Sequence, residues 1–91
     1  MIIDLEEMKS YLRVDFEDDD KAIQDLITSS QIMCMSIARI DEEEEFVKEP
    51  NAKIAVMYAV AFQYEHREDC DYHALELSLR ALLSGIRKAG F

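Results

Sequence analysis

With 91 residues, 49% of them apolar and 33% charged, the chain has the size and composition of one ordered domain spanning 1–91 and not of a disordered tail. Twenty acidic residues against 10 basic ones give a net charge of −10, and the absence of a Lys/Arg cluster speaks against a free-standing nucleic-acid binder. The longest apolar run, Ile54 to Phe62, is less than half of the roughly 20 residues a membrane helix needs, so no membrane association is expected.

The opening Met-Ile-Ile-Asp-Leu-Glu-Glu carries neither the basic nor the apolar region of a secretory signal, so a cytoplasmic protein is expected, with Cys34 and Cys70 as thiols. A chain this short buries only about 60% of its unfolded surface as a monomer, which favours help from partners. Gly85 and Gly90 are the only glycines, and hairpin turns usually need glycine, so the expected class is all-α.

In chain order, a first helix is predicted from Asp4, whose carboxylate suits an N-cap, to about Arg13, with Leu5, Met8 and Leu12 on one face and Tyr11 beside them. Val14 to Asp20 is too acidic and aperiodic to continue it, and its last aspartates are suited to capping the next helix. That second helix is predicted over Lys21–Ile40, about 30 Å long, with Ile23, Leu26, Ile27, Ser30, Cys34, Ile37 and Ala38 on one stripe. Met33 and Met35 add apolar surface as gap-fillers.

Asp41 to Glu45 reads as a solvated acidic loop, anchored by Phe46 and Val47. A third helix should begin near Pro50, which is tolerated in a first turn, and close at Tyr64 and Arg67. Asp69 to His73 then form a polar corner. A last helix is predicted over Ala74–Lys88, with Leu75, Leu79, Leu82, Leu83 and Ile86 inward and Gly90 as its stop. The expectation is a four-helix domain with two long and two short helices.

Few residues point to chemistry. His66, Cys70 and His73 offer two imidazoles and a thiolate, but structural zinc sites want four ligands and usually a close cysteine pair, which is missing here. Cys70 with His73 as its base lacks any sign of an oxyanion site. Asp15, Glu17 and Asp19 imitate the start of a calcium loop, yet Asp20 stands where glycine is required and Leu26 where a glutamate should coordinate. No catalytic residue, metal or cofactor is therefore expected.

The third helix carries the stronger signal. It is apolar on every side, more than one neighbour can cover, and Tyr58, Phe62 and Tyr64 are side chains of the kind that dominate protein interfaces. Ile54, Met57, Tyr58, Ala61 and Phe62 are the expected core or subunit-interface residues. Arg67, at the end of that helix, is expected to form a structural ion pair.

Leu5-Glu6-Glu7-Met8-Lys9-Ser10-Tyr11-Leu12-Arg13-Val14-Asp15, followed by Asp18-Asp19-Asp20, Ile23 and Leu26-Ile27, resembles the opening of head-tail connector proteins from tailed bacteriophages and prophages. Tyr64-Glu65-His66-Arg67-Glu68 is similar to the Tyr-Glu-Asn-Arg-Glu ending of that family's hydrophobic helix, with His66 in place of asparagine. Leu82-Leu83-Ser84-Gly85-Ile86-Arg87 is similar to its closing Leu-Leu-x-x-x-Arg, without the usual Pro-x-Gly lead-in to the last helix.

The resemblance implies a non-enzymatic, all-α subunit of the virion neck, assembled in the host cytoplasm. It implies a homo-oligomeric ring of about a dozen copies below the portal protein, acting in DNA packaging and head completion. Such a ring extends the DNA channel, touches DNA only as it passes, and docks neck or tail proteins. An acidic wall suits sliding DNA. The alternatives are a small acidic helical regulator that binds one protein partner, and a metal enzyme using His66, Cys70 and His73.

Overall fold

A computed structural model of the chain describes residues 1–84, and every regular element among them is helical. The order is α1 Leu5–Leu12, α2 Asp20–Ala38, α3 Glu43–Phe46, α4 Ala52–Glu65 and α5 Tyr72–Leu83. The long α2 and α4 pack on each other, α5 packs on both, and α1 leans on α2. The result is a slab of 43 × 28 × 16 Å, about two helices thick in its thinnest direction.

Local chemistry accounts for the helix ends. Asp4 caps α1 by accepting a 2.8 Å hydrogen bond from the Glu7 amide, and Asp71 caps α5 through the Ala74 amide at 3.0 Å. With no glycine available, α1 and α2 both end on an arginine in the left-handed region, Arg13 at φ 62° and Arg39 at φ 60°. In each case the next residue is apolar and buried. Val14 donates back to the Lys9 carbonyl and Ile40 to the Met35 carbonyl, both at 3.0 Å, so each turn closes over the core.

Ile23, Ile27, Ser30, Cys34 and Ala38 of α2 are buried, while Leu26, Ile37, Met33 and Met35 are half-buried beside them. Met8, Phe46, Val56, Val60, Leu75, Leu79 and Leu83 complete the centre. Within it, the Gln63 side chain donates 2.8 Å to Ser30 Oγ and 3.0 Å to the Ala59 carbonyl, joining α2 to α4 without an unpaired amide.

Several boundaries differ from the sequence expectations. The acidic segment is not all loop: α3 forms one helical turn because Phe46 is fully buried beneath it and Gln31 of α2 holds Glu43 at 3.0 Å. Helix α2 stops at Ala38, two residues before Ile40, because Arg39 turns the chain. Helix α4 begins at Ala52, with Pro50 left in the preceding turn.

Asp19 sits at the N-cap of α2 yet makes no capping bond, since its carboxylate is engaged elsewhere. The corner after α4 is shorter than expected, since α5 already starts at Tyr72. Leu82 is half-buried, and the expectations for Ile86, Lys88 and Gly90 lie outside the described residues.

Candidate functional site

Helix α4 is two-faced in size more than in polarity. Ala52, Ala55, Val56, Ala59, Val60 and Gln63 form its buried face, and these mostly small side chains let α2 and α5 approach closely. The bulky residues point the other way. Ile54 is 56% exposed, and Met57, Tyr58, Ala61 and Phe62 are half-buried, in a stripe at i, i+3, i+4, i+7 and i+8.

This outer stripe holds all five residues expected as core or interface. Tyr58 and Phe62 lie in tilted contact with ring centroids 6.1 Å apart, and Phe62 stacks on His66 at 4.7 Å. His66 Nδ1 lies 2.9 Å from the Phe62 carbonyl, which selects the tautomer with a proton on Nδ1. Tyr58 reaches Ser78 of α5 at 3.3 Å.

The end of α1 borders the stripe. Tyr11, Leu12 and Arg13 face Tyr58, Ala61, Phe62, Glu65 and His66 across an open groove of about 680 Å³. Tyr11 is 54% exposed. Sequence periodicity places Tyr11 beside the α1 stripe but cannot show that it meets α4.

At the same end of α4, Asp19 from the segment before α2 meets the neighbouring Tyr64 and Arg67. The Tyr64 hydroxyl donates 2.7 Å to Asp19 Oδ2, Arg67 donates 3.3 Å to the same oxygen, and the Arg67 guanidinium lies 4.6 Å from the centre of the Tyr64 ring. The hydrogen bond to Asp19 and partial burial hold the Tyr64 phenol above its ordinary pKa. Arg67 thus sits within an ion pair and over an aromatic face, with Asp19 as the partner that sequence reading leaves unnamed.

Two further ion pairs orient α1. Lys9 lies 2.6 Å from Asp20 Oδ1, and Lys53 of α4 pairs with Glu7. The hydrogen bond to Asp20 raises the Lys9 pKa. A smaller apolar recess, about 280 Å³, opens between α2 and α5, lined by Met33, Ser36, Ile37, Tyr72 and Glu76.

The chemical candidates do not assemble. Among the described residues, no group of three or more His, Cys, Asp or Glu side chains is placed to hold a metal, so His66, Cys70 and His73 form no site there. Cys34 is fully buried, and burial pushes its thiol up to about 12, far from a reactive thiolate. No helix among the described residues is long and apolar enough to cross a membrane.

No curated protein and no solved structure matches the chain. A family model described as phage gp6-like head-tail connector protein matches residues 2–83, which takes in every helix above. That family comprises structural phage proteins of the virion neck, which interact with other head and tail components. An all-helical fold with a half-covered apolar stripe along α4 is consistent with that role, and the chain belongs to the phage gp6-like head-tail connector family.

Proposed function

We propose that the chain is one subunit of a homo-oligomeric ring of about a dozen copies that sits between portal and tail. The ring extends the DNA channel, completes the filled head and docks the next neck or tail protein. The observation that carries this reading is the outer stripe of α4: Ile54 is exposed, and Met57, Tyr58, Ala61 and Phe62 are only half covered by their own chain. Burying such a stripe against the next copy removes apolar and aromatic surface from water, and a repeated head-to-tail contact closes into a ring.

The net charge of −10 suits a channel that DNA passes without being held, because phosphate binding needs cations. No chemical step is part of the proposal. The test is to add the purified chain to DNA-filled heads that carry a portal and to image the portal vertex. A ring of added density supports the reading. Binding of single copies without a ring supports instead the small acidic regulator acting on one partner.

A further inference from the structure

The groove between the end of α1 and the outer face of α4 has a definable chemistry. Its walls are aromatic and apolar at Tyr11, Tyr58, Ala61 and Phe62, and Arg13 stands on the α1 side. The α4 side is acidic. Glu65 lines the groove, Glu68 and Asp69 follow in the adjoining turns, and none of the three makes an ion pair among the described residues. A ligand that combines apolar side chains with positive charge fits that surface.

The chain carries such a segment. Residues 85–91, outside the described residues, read Gly-Ile-Arg-Lys-Ala-Gly-Phe, with two of the chain's 10 basic residues, two large apolar ones and no acidic side chain. Helix α5 runs antiparallel to α4: Ser78 meets Tyr58, and the Leu82 carbonyl accepts from Asn51 at 3.2 Å. The chain therefore leaves α5 beside the start of α4, while the groove lies at the end of α4.

Along the helix axis, Glu65 is about 21 Å from Asn51. Arg87 and Lys88 reach at most about 10–14 Å beyond Ser84. The backbone of a copy's own basic pair thus falls short of the backbone of its own Glu65.

We propose that residues 85–91 of one copy seat in the α1–α4 groove of the next copy, with Ile86 and Phe91 against Tyr11, Tyr58 and Phe62. Arg87 and Lys88 then pair with Glu65 and Glu68. The inference rests on the ring reading and adds its connecting segment: each copy covers part of its neighbour's apolar stripe, and the direction of exit from α5 gives the contact its head-to-tail sense.

The test uses full-length chains carrying Cys70→Ser, with Cys34 left in the core. An Ala61→Cys chain and an Ala89→Cys chain are mixed and mildly oxidised. The proposal expects a disulfide between two chains. A disulfide within one chain in the Ala61→Cys/Ala89→Cys double variant, or none in either case, overturns it.

In parallel, Arg87→Glu/Lys88→Glu should weaken self-association about tenfold by sedimentation, and adding Glu65→Lys/Glu68→Lys should restore most of it. If the unmodified chain associates but charge reversal and its swap change nothing, the tail contact is refuted and the ring stands. If the unmodified chain never associates, alone or on a portal, the ring reading itself fails.

Discussion

The phenol of Tyr64 and the carboxylate of Asp19, 45 positions apart in sequence, share a 2.7 Å hydrogen bond that ties the end of α4 to the start of α2. Asp19 would ordinarily cap α2. Instead its Oδ2 accepts from both Tyr64 and Arg67, while Asp20 beside it engages Lys9 of α1. The acidic connector is thus a junction at which α1, α2 and α4 are held in register.

Breaking that junction should cost stability in a coupled way. Arg67→Glu removes a half-exposed ion pair and a cation–π contact and adds repulsion, for an expected loss of about 1–2 kcal/mol. Tyr64→Phe loses one hydrogen bond, about 0.5–1.5 kcal/mol. Urea unfolding of both single variants and the double variant should show non-additive losses; simple additivity would mean that the two side chains act independently.

The pH dependence follows from the sign of each shift. Tyr64, Lys9 and Cys34 all have folded-state pKa values above their ordinary ones, held up by Asp19, by Asp20 and by burial respectively. Their stabilising contribution is complete below the unfolded values, about 8.5 for Cys and about 10 for Tyr and Lys. It is lost as pH rises through the folded values, which for Cys34 is about 12.

Glu43 has the opposite sign. Its pKa is lowered first by the Gln31 hydrogen bond, so its contribution is present above the ordinary carboxylate value and is lost as pH falls through the folded one. Urea midpoints measured across pH should decline on both limbs. Tyr64→Phe should flatten the alkaline limb and Gln31→Leu the acidic one.

The thiols should differ sharply. Cys34 is fully buried and Cys70 is partly exposed, so Ellman's reagent at pH 8 should modify one thiol in the native chain and two after unfolding. Rapid modification of both in the native chain would place Cys34 outside the core.

The left-handed arginine at the end of α2 is a local cost imposed by the scarcity of glycine. Replacing it, Arg39→Gly, should raise stability by about 0.5–1 kcal/mol, because glycine adopts φ 60° without a Cβ clash. A loss instead would mean that the Arg39 side chain makes a stabilising contact. Phe46→Ala should act in the other direction, costing about 3–5 kcal/mol and releasing α3.

The helical class, the Asp4 cap and the α2 stripe were legible because each depends on residues within a few positions of one another. Helix α3 was not, since Asp41 to Glu45 has no periodicity; it exists because of a buried Phe46 and a hydrogen bond from Gln31, 12 positions upstream. Asp19 as the partner of Tyr64 and Arg67 was hidden for the same reason, as only the fold brings it to them.

For α4 the composition announced more apolar surface than one neighbour covers. It did not tell which side is inward. The packing of α2 and α5 selects the alanine-rich face, leaving Ile54, Tyr58 and Phe62 outside. Tyr11 belongs to the site only because α1 ends beside that face.

The most direct measurement is sedimentation over a wide concentration range, alone and with portal, of the unmodified chain and of Ile54→Asp. Ile54 is half in water, so the substitution should leave the unfolding free energy within about 0.5 kcal/mol of the unmodified chain's while abolishing assembly. An unmodified chain that stays monomeric throughout, or an Ile54→Asp chain that assembles equally well, would contradict the assignment of α4's outer face to contact between copies.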